Sequence, residues 1–286
     1  MNKKNLFLSS ILSLGLLTVG CTGGNTSTEG TDSGISNFEI RQMVKSIERN
    51  YLCEGEDAVF ADSLKIYSEV KIVVEWPEKL GDADIKVLQD SLLSSIFSKP
   101  ETTIDKSMIK SAETPEGSDM FTMKPIDTIP NEPCMIYTRD VLASAVSSNS
   151  DFISYQITTY SYTGGAHGMT ESHYVNYDLD SATVITAANA FRPNTESYVL
   201  QAIKDNLMTQ YDATSMEELE QKGIFTDQIF TSPNFYLEGS EIVFHYNPYD
   251  IAPYSEGSIE VRVPYYQIKN CLSPMTLHIF NDTDSE

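Results

Sequence analysis

The chain has 286 residues, 41 of them acidic and 19 basic, for a formal net charge of −22. Such a surface repels phosphate backbones and anionic lipid, which excludes nucleic-acid binding and direct electrostatic docking on a bilayer. It suits solubility, or attraction to a cationic partner.

Lys3 and Lys4 precede an apolar run, residues 6–17. A run of about a dozen residues is too short to span a bilayer, which takes ~20, and fits a secretory signal peptide. It stops at Thr18-Val19-Gly20-Cys21, which resembles the lipobox of bacterial lipoproteins. That resemblance implies cleavage after residue 20 and lipid on Cys21, so that the membrane is met only through the acyl chains. After Cys21 the chain continues as TGGNTSTEGTDSGISN (22–37), too polar to bury surface, and residues 21–37 read as a flexible tether. No acidic cluster follows Cys21, which favours the periplasmic face over the cell surface. Without the two lysines of the leader the charge becomes −24.

In an oxidising compartment Cys53, Cys134 and Cys271 would form at most one internal disulfide. A Cys53–Cys271 bridge would tie the ends of the fold together, and the pairing stays open. No C-x-x-C pair points to structural zinc.

Residues 38–49 place Ile40, Met43, Val44 and Ile47 at helical spacing and predict a short helix. IYSEVKIVVEW (66–76) predicts a strand that Pro77 closes. Residues 84–97 predict a helix with Ile85, Leu88, Leu92 and Ile96 on one stripe and Asp82 or Asp84 as cap. Residues 99–133 read mainly as an irregular excursion. Residues 135–146 fit a helix or a strand, and strand is favoured because 152–162 predict a strand directly after an SSNS turn; 174–179 predict the next strand. Residues 195–208 predict a helix, Ser215 to Glu218 a capping box, and 234–237, 241–246 and 257–263 three strands. The fold class expected is α+β, antiparallel sheets with a few packed helices.

YSYTGGAHG (160–168), with NYDLDS (176–181), resembles a stretch common to extracytoplasmic bacterial domains of the DUF4163 and DUF3298 families. FYLEGSEIVFHYNPYDIAPYSEGSIEVRVPY (235–265) does so too, and the likeness spans roughly residues 66–272. It implies a DUF4163-like half over 38–190, a DUF3298-like half over 191–275, and a tail over 276–286. SATVITAANAF (181–191) departs from the family's usual wording at the junction. These domains occur outside the cell in lysozyme-binding anti-sigma-V factors and beside the catalytic domain of polysaccharide deacetylases. Here no sigma-binding segment or deacetylase domain is expected, and only the binding module carries over.

Two histidines, His167 and His173, bracket the glycine turn with Glu171 between them, and His245 stands in a later strand. No H-E-x-x-H or G-x-S-x-G motif accompanies them, so neither a metal site, nor a cofactor, nor a catalytic centre is expected; a hydrolase using His167 remains the alternative. Asp178 and Asp180 read as a turn-bonded pair rather than as glycosidase carboxylates. Gly164, Gly165 and Gly168 read as a turn that needs positive φ and close backbone approach. Thirteen of the sixteen tyrosines fall between residues 155 and 266. Tyr162, His167, Tyr249, Asp250, Tyr254 and Glu256 are the expected binding residues, and Pro248 and Pro253 stiffen the loop that carries Tyr249 and Tyr254. The partner expected is a cationic protein such as lysozyme; a peptidoglycan or polysaccharide is the alternative.

Overall fold

The computed structural model describes residues 40–281 apart from 56 and 61–63. Lipid attachment at Cys21, the leader, the tether and residues 282–286 lie outside the described residues.

β1 (Ile40–Glu54), β2 (Val59–Phe60) and β3 (Leu64–Leu80) open the chain. Every second residue of β3 from Ile66 to Trp76 is buried, the two-residue period of a strand with one face on a core. α1 (Lys86–Ile96), α2 (Ile104–Ala112) and β4 (Thr122–Ile126) follow, then the strands β5 (Met135–Ser148), β6 (Phe152–Tyr162), β7 (Met169–Asp178) and β8 (Thr183–Ile185). They form one sheet in the order β4-β1-β3-β5-β6-β7-β8, with β2 added beside β3. β9 (Phe235–Glu238), β10 (Glu241–Tyr246) and β11 (Ile259–Pro264) form a second, antiparallel sheet. The class is α+β, as the sequence predicts.

Four expectations are corrected. Residues 40–49 are a strand, paired with β3 from Ile40 opposite Leu80 to Leu52 opposite Tyr67. The presumed helical stripe is not what the fold buries: Met43 is 44% and Val44 67% exposed. A long β-rich partner has overridden a weak local periodicity. β3 does not stop at Pro77; the proline sits at the bulge between Arg41 and Gln42, beyond the last β5 pair at Val74, where the missing N–H is not needed. The 99–133 excursion contains α2, whose cap Thr103 accepts from Lys106 N–H, and β4. That excursion is also why the main sheet is mixed: it returns the chain to the same end, so β5 runs parallel to β3.

Cys53, Cys134 and Cys271 are free thiols. Cys53 packs with Ala58, Ile66 and Tyr137, whereas Cys271 belongs to the C-terminal core, so the suggested bridge does not form. Burial pushes the Cys53 thiol up to about 11, leaving it protonated at neutral pH.

β6 is sandwiched between two cores. Ile153, Tyr155 and Ile157 meet Leu88, Leu92 and Met108 of α1 and α2. Phe152 on the other face joins a second core with α4 (Glu196–Gln210), the small sheet and α7 (Pro274–Asn281). Between β8 and α4 lies α3 (Ala187–Ala190), and α5 (Met216–Gln221) follows α4, capped by Ser215 as predicted. α6 (Tyr265–Ile268) follows β11. α7 occupies much of what reads in sequence as a tail, because Ile279 and Phe280 fill that core and Phe280 stacks on Tyr265 at 5.0 Å.

Candidate functional site

The β6–β7 hairpin ends in the turn 163–168, and β10 runs into the loop 247–258. Two asparagines bring these loops together. β7 pairs with β8 only from Asn176 onward, which leaves its outer edge open between residues 170 and 175. Side-chain carboxamides substitute for the missing strand. Asn234 Oδ1 accepts from Tyr174 N (3.1 Å) and its Nδ2 donates to Ser172 O (2.8 Å). Asn247 Oδ1 accepts from Ser172 N (2.7 Å), and its Nδ2 donates to the same carbonyl (3.1 Å). Asn247 is also the first residue of the second loop, so the bonds that satisfy the strand edge set the loop's position.

Within the pair of loops, the His167 ring stacks on Tyr254 with centroids 3.7 Å apart and planes 16° from parallel. Tyr254 Oη donates to Gly168 O (2.7 Å), and His167 Nδ1 lies 3.0 Å from the same carbonyl. A carbonyl only accepts, so that bond puts the proton on Nδ1. Tyr249 lies 5.7 Å from Tyr254 and is 50% exposed. Tyr162 Oη donates to Gly165 O across the turn (3.1 Å). His167 and Glu256 are exposed, while Tyr162, Asp250 and Tyr254 are half-buried. Gly164 and Gly165 have φ of +96° and +91°, which L side chains resist. Gly168 differs from that expectation. Its φ is not in the left-handed region; its need is for space, because a Cβ there would lie 2.5 Å from the Tyr160 ring.

Asp250 has a different place from its expected neighbours. Its carboxylate accepts from Asn247 N (2.7 Å), and its N–H returns to Asn247 O (3.0 Å). With Pro248 second and Tyr249 third at φ +75°, these bonds make a type II turn. Asp250 therefore shapes the loop that presents Tyr249.

The histidines diverge instead of converging. His173 Nε2 reaches Ser95 O on the helix-covered face (3.1 Å), and His245 is buried in the small sheet. Among the described residues no group of three His, Cys, Asp or Glu side chains is placed to hold a metal. His167 meets a carbonyl and a tyrosine ring, and among the described residues no nucleophile or carboxylate is in hydrogen-bonding contact with it. Asp178 is buried, accepts backbone N–H from Asp180 (3.0 Å) and Ser181 (3.2 Å), and contacts His278 Nε2 at 3.1 Å. Burial raises its carboxyl, but the His278 and Ser181 bonds outweigh that and hold it below the ordinary value.

A second polar cluster is not anticipated from the sequence. Tyr174 stacks on Tyr236 at 4.6 Å, and both hydroxyls donate to Glu260 (3.3 and 3.2 Å). His245 Nδ1 lies 3.7 Å from the same carboxylate and its Nε2 donates to Asn247 Oδ1 (3.2 Å). Arg262 pairs with Glu238 and Glu241. The neighbouring His245 holds Glu260 below the usual carboxylate range despite partial burial. Burial, then Glu260, pushes both tyrosine hydroxyls up. Hairpin register would have found this cluster: His245 is directly opposite Glu260, and Val243 lies between Tyr236 and Arg262.

The class of protein is thus an α+β domain in which a mixed sheet carries a small antiparallel sheet and presents two aromatic loops. Residues 188–266 match the family model described as "Protein of unknown function (DUF3298)". Two solved structures are similar in fold. A member of the DUF3298 family from Bacteroides fragilis NCTC 9343 is 22% identical, with a TM-score of 0.64 over 87% of this chain and 100% of that one. A DUF3298 family protein from Pseudomonas aeruginosa PAO1 is 16% identical, with a TM-score of 0.55 over 85% and 98%. No curated protein matches the chain.

Proposed function

We propose that the protein is a lipid-anchored envelope binding module, on the periplasmic face, that captures a cationic cell-wall hydrolase of the lysozyme type. It acts by binding, without chemistry of its own, and serves protection or sensing. The observation that carries this reading is the aromatic surface of His167, Tyr254 and Tyr249 on a chain of net charge −22. Loops held by a rigid sheet are the usual carriers of recognition, and tyrosines supply contact area at little entropic cost. The exposed Glu256 and the chain's net charge of −22 match a basic partner and would speed its encounter. The resemblance of the first half to DUF4163, and the kinship with anti-sigma-V factors that it implies, belong to the same proposal.

The test is titration of the purified protein against lysozyme at low and moderate salt. Binding that weakens with salt and falls about tenfold or more in Tyr254→Ala supports the reading. No complex at low salt, or one indifferent to Tyr254→Ala and Tyr249→Gly, refutes it.

A further inference from the structure

α4 turns its buried stripe, Val199, Ile203 and Leu207, to the C-terminal core. A second stripe, Tyr198, Gln201, Asp205 and Asn206, faces an open cavity whose other wall is Gln267 and Asn270, beyond β11. The cavity holds about 680 Å³, within the range of small-ligand sites. It shares no residue with the turn 163–168 or the loop 247–258, so it is distinct from the docking surface above.

The chemistry of the lining selects a ligand class. Four of these six side chains are carboxamides, which donate and accept together, as hydroxyls do. One is a carboxylate, and the lining contains no Lys or Arg, which disfavours phosphates, nucleotides and other anions. Tyr198 is 69% exposed, a large flat ring standing in water at the rim. The polar groups are partly oriented in advance. Asn206 Nδ2 donates to Gln267 Oε1 (2.6 Å), and Gln201 Nε2 donates to Asp205 Oδ1 (2.8 Å). Those bonds leave Asn206 Oδ1, Gln267 Nε2 and Asp205 Oδ2 for a ligand, and the Asn270 carboxamide is engaged by none of the described residues.

We propose that this groove binds a neutral oligosaccharide, with a sugar ring stacked on Tyr198 and its hydroxyls bonded to the carboxamides and Asp205. The protein then carries a glycan site in addition to its protein-docking loops.

Calorimetric titration of the full chain with the tetramer of N-acetylglucosamine and with a neutral glucan tetramer tests it. At least one should bind, with little dependence on salt, because no ion pair is made. Tyr198→Ala and Gln267→Ala change exposed residues and should leave the circular dichroism unchanged, yet each should weaken binding by about tenfold. Tyr249→Gly should leave it unaltered, which separates this site from the loop surface. Failure of both tetramers to bind at ~10 mM, far above a typical small-ligand Kd, would overturn the proposal. So would binding that survives Tyr198→Ala, or binding that salt abolishes.

Discussion

Tyr249 occupies the third position of a type II turn with φ +75°, where glycine or asparagine is the unstrained choice. A left-handed backbone costs an L-residue roughly 1–2 kcal/mol, while an ordered glycine forfeits roughly 0.5–1 kcal/mol of chain entropy. Tyr249→Gly is therefore expected to hold the thermal midpoint within about 3 °C of the parent or raise it. The same variant should weaken lysozyme capture, so that a strained residue is shown to serve contact and not stability. Unchanged capture with a raised midpoint would leave the strain without a binding role. Gly168 poses the opposite case, because its side of the turn is filled by Tyr160. Gly168→Ala should lose about 1–3 kcal/mol in chemical denaturation through forced displacement of that ring. Combining it with Tyr160→Val should restore most of the loss, since the obstructing ring is then gone.

At the level of elements, β7 is an edge strand for half its length, and its open N–H and C=O groups are closed by Asn234 and Asn247. Such pairing prevents a bare edge from recruiting other strands. Asn247→Ala removes the acceptor for Ser172 N–H and the partner of His245 Nε2. We expect a loss of about 1–3 kcal/mol and faster hydrogen exchange at the Ser172 amide, with the loop 247–258 loosened at its root. Exchange at the amides of β3 should not change, since that strand is paired on both sides.

Across the whole molecule, the contact of Asp178 with His278 joins the end of β7 to α7, residues 100 apart in sequence. The Asp178 carboxyl is held below its unfolded value near 3.9, so its contribution is complete above that pH and disappears as pH falls through the folded value. Asp178→Asn should cost about 1.5–3 kcal/mol at neutral pH, the range for bonds to a charged group. The difference between parent and variant should shrink below about pH 4, as denaturation at several pH values will reveal. A constant difference down to strongly acid pH would contradict this linkage.

Much of the C-terminal half is legible in the sequence because its signals are local. Residues 235–238 and 241–246 pair as a hairpin about a Glu-Gly-Ser turn, Ser215 caps α5, and Gly223 ends that helix at φ +94°. The glycine turn and the tyrosine loop also stand out as motifs, and Gly164 and Gly165 have the positive φ expected of them, although Gly168 does not. The N-terminal half reads less well, since the spacing of Ile40, Met43, Val44 and Ile47 fits a helix while β3 supplies a pairing partner that no local pattern announces.

Composition, turn chemistry and short-range periodicity thus establish the α+β class, most elements and the acidic aromatic loops. Long-range contact alone establishes the parallel β3–β5 pairing, the seating of His167 on Tyr254, and the groove beside α4. Hydrogen bonds that side chains make to groups about 60 to 100 residues away depend on how sheets and helices pack, and packing is a property of the folded chain as a whole.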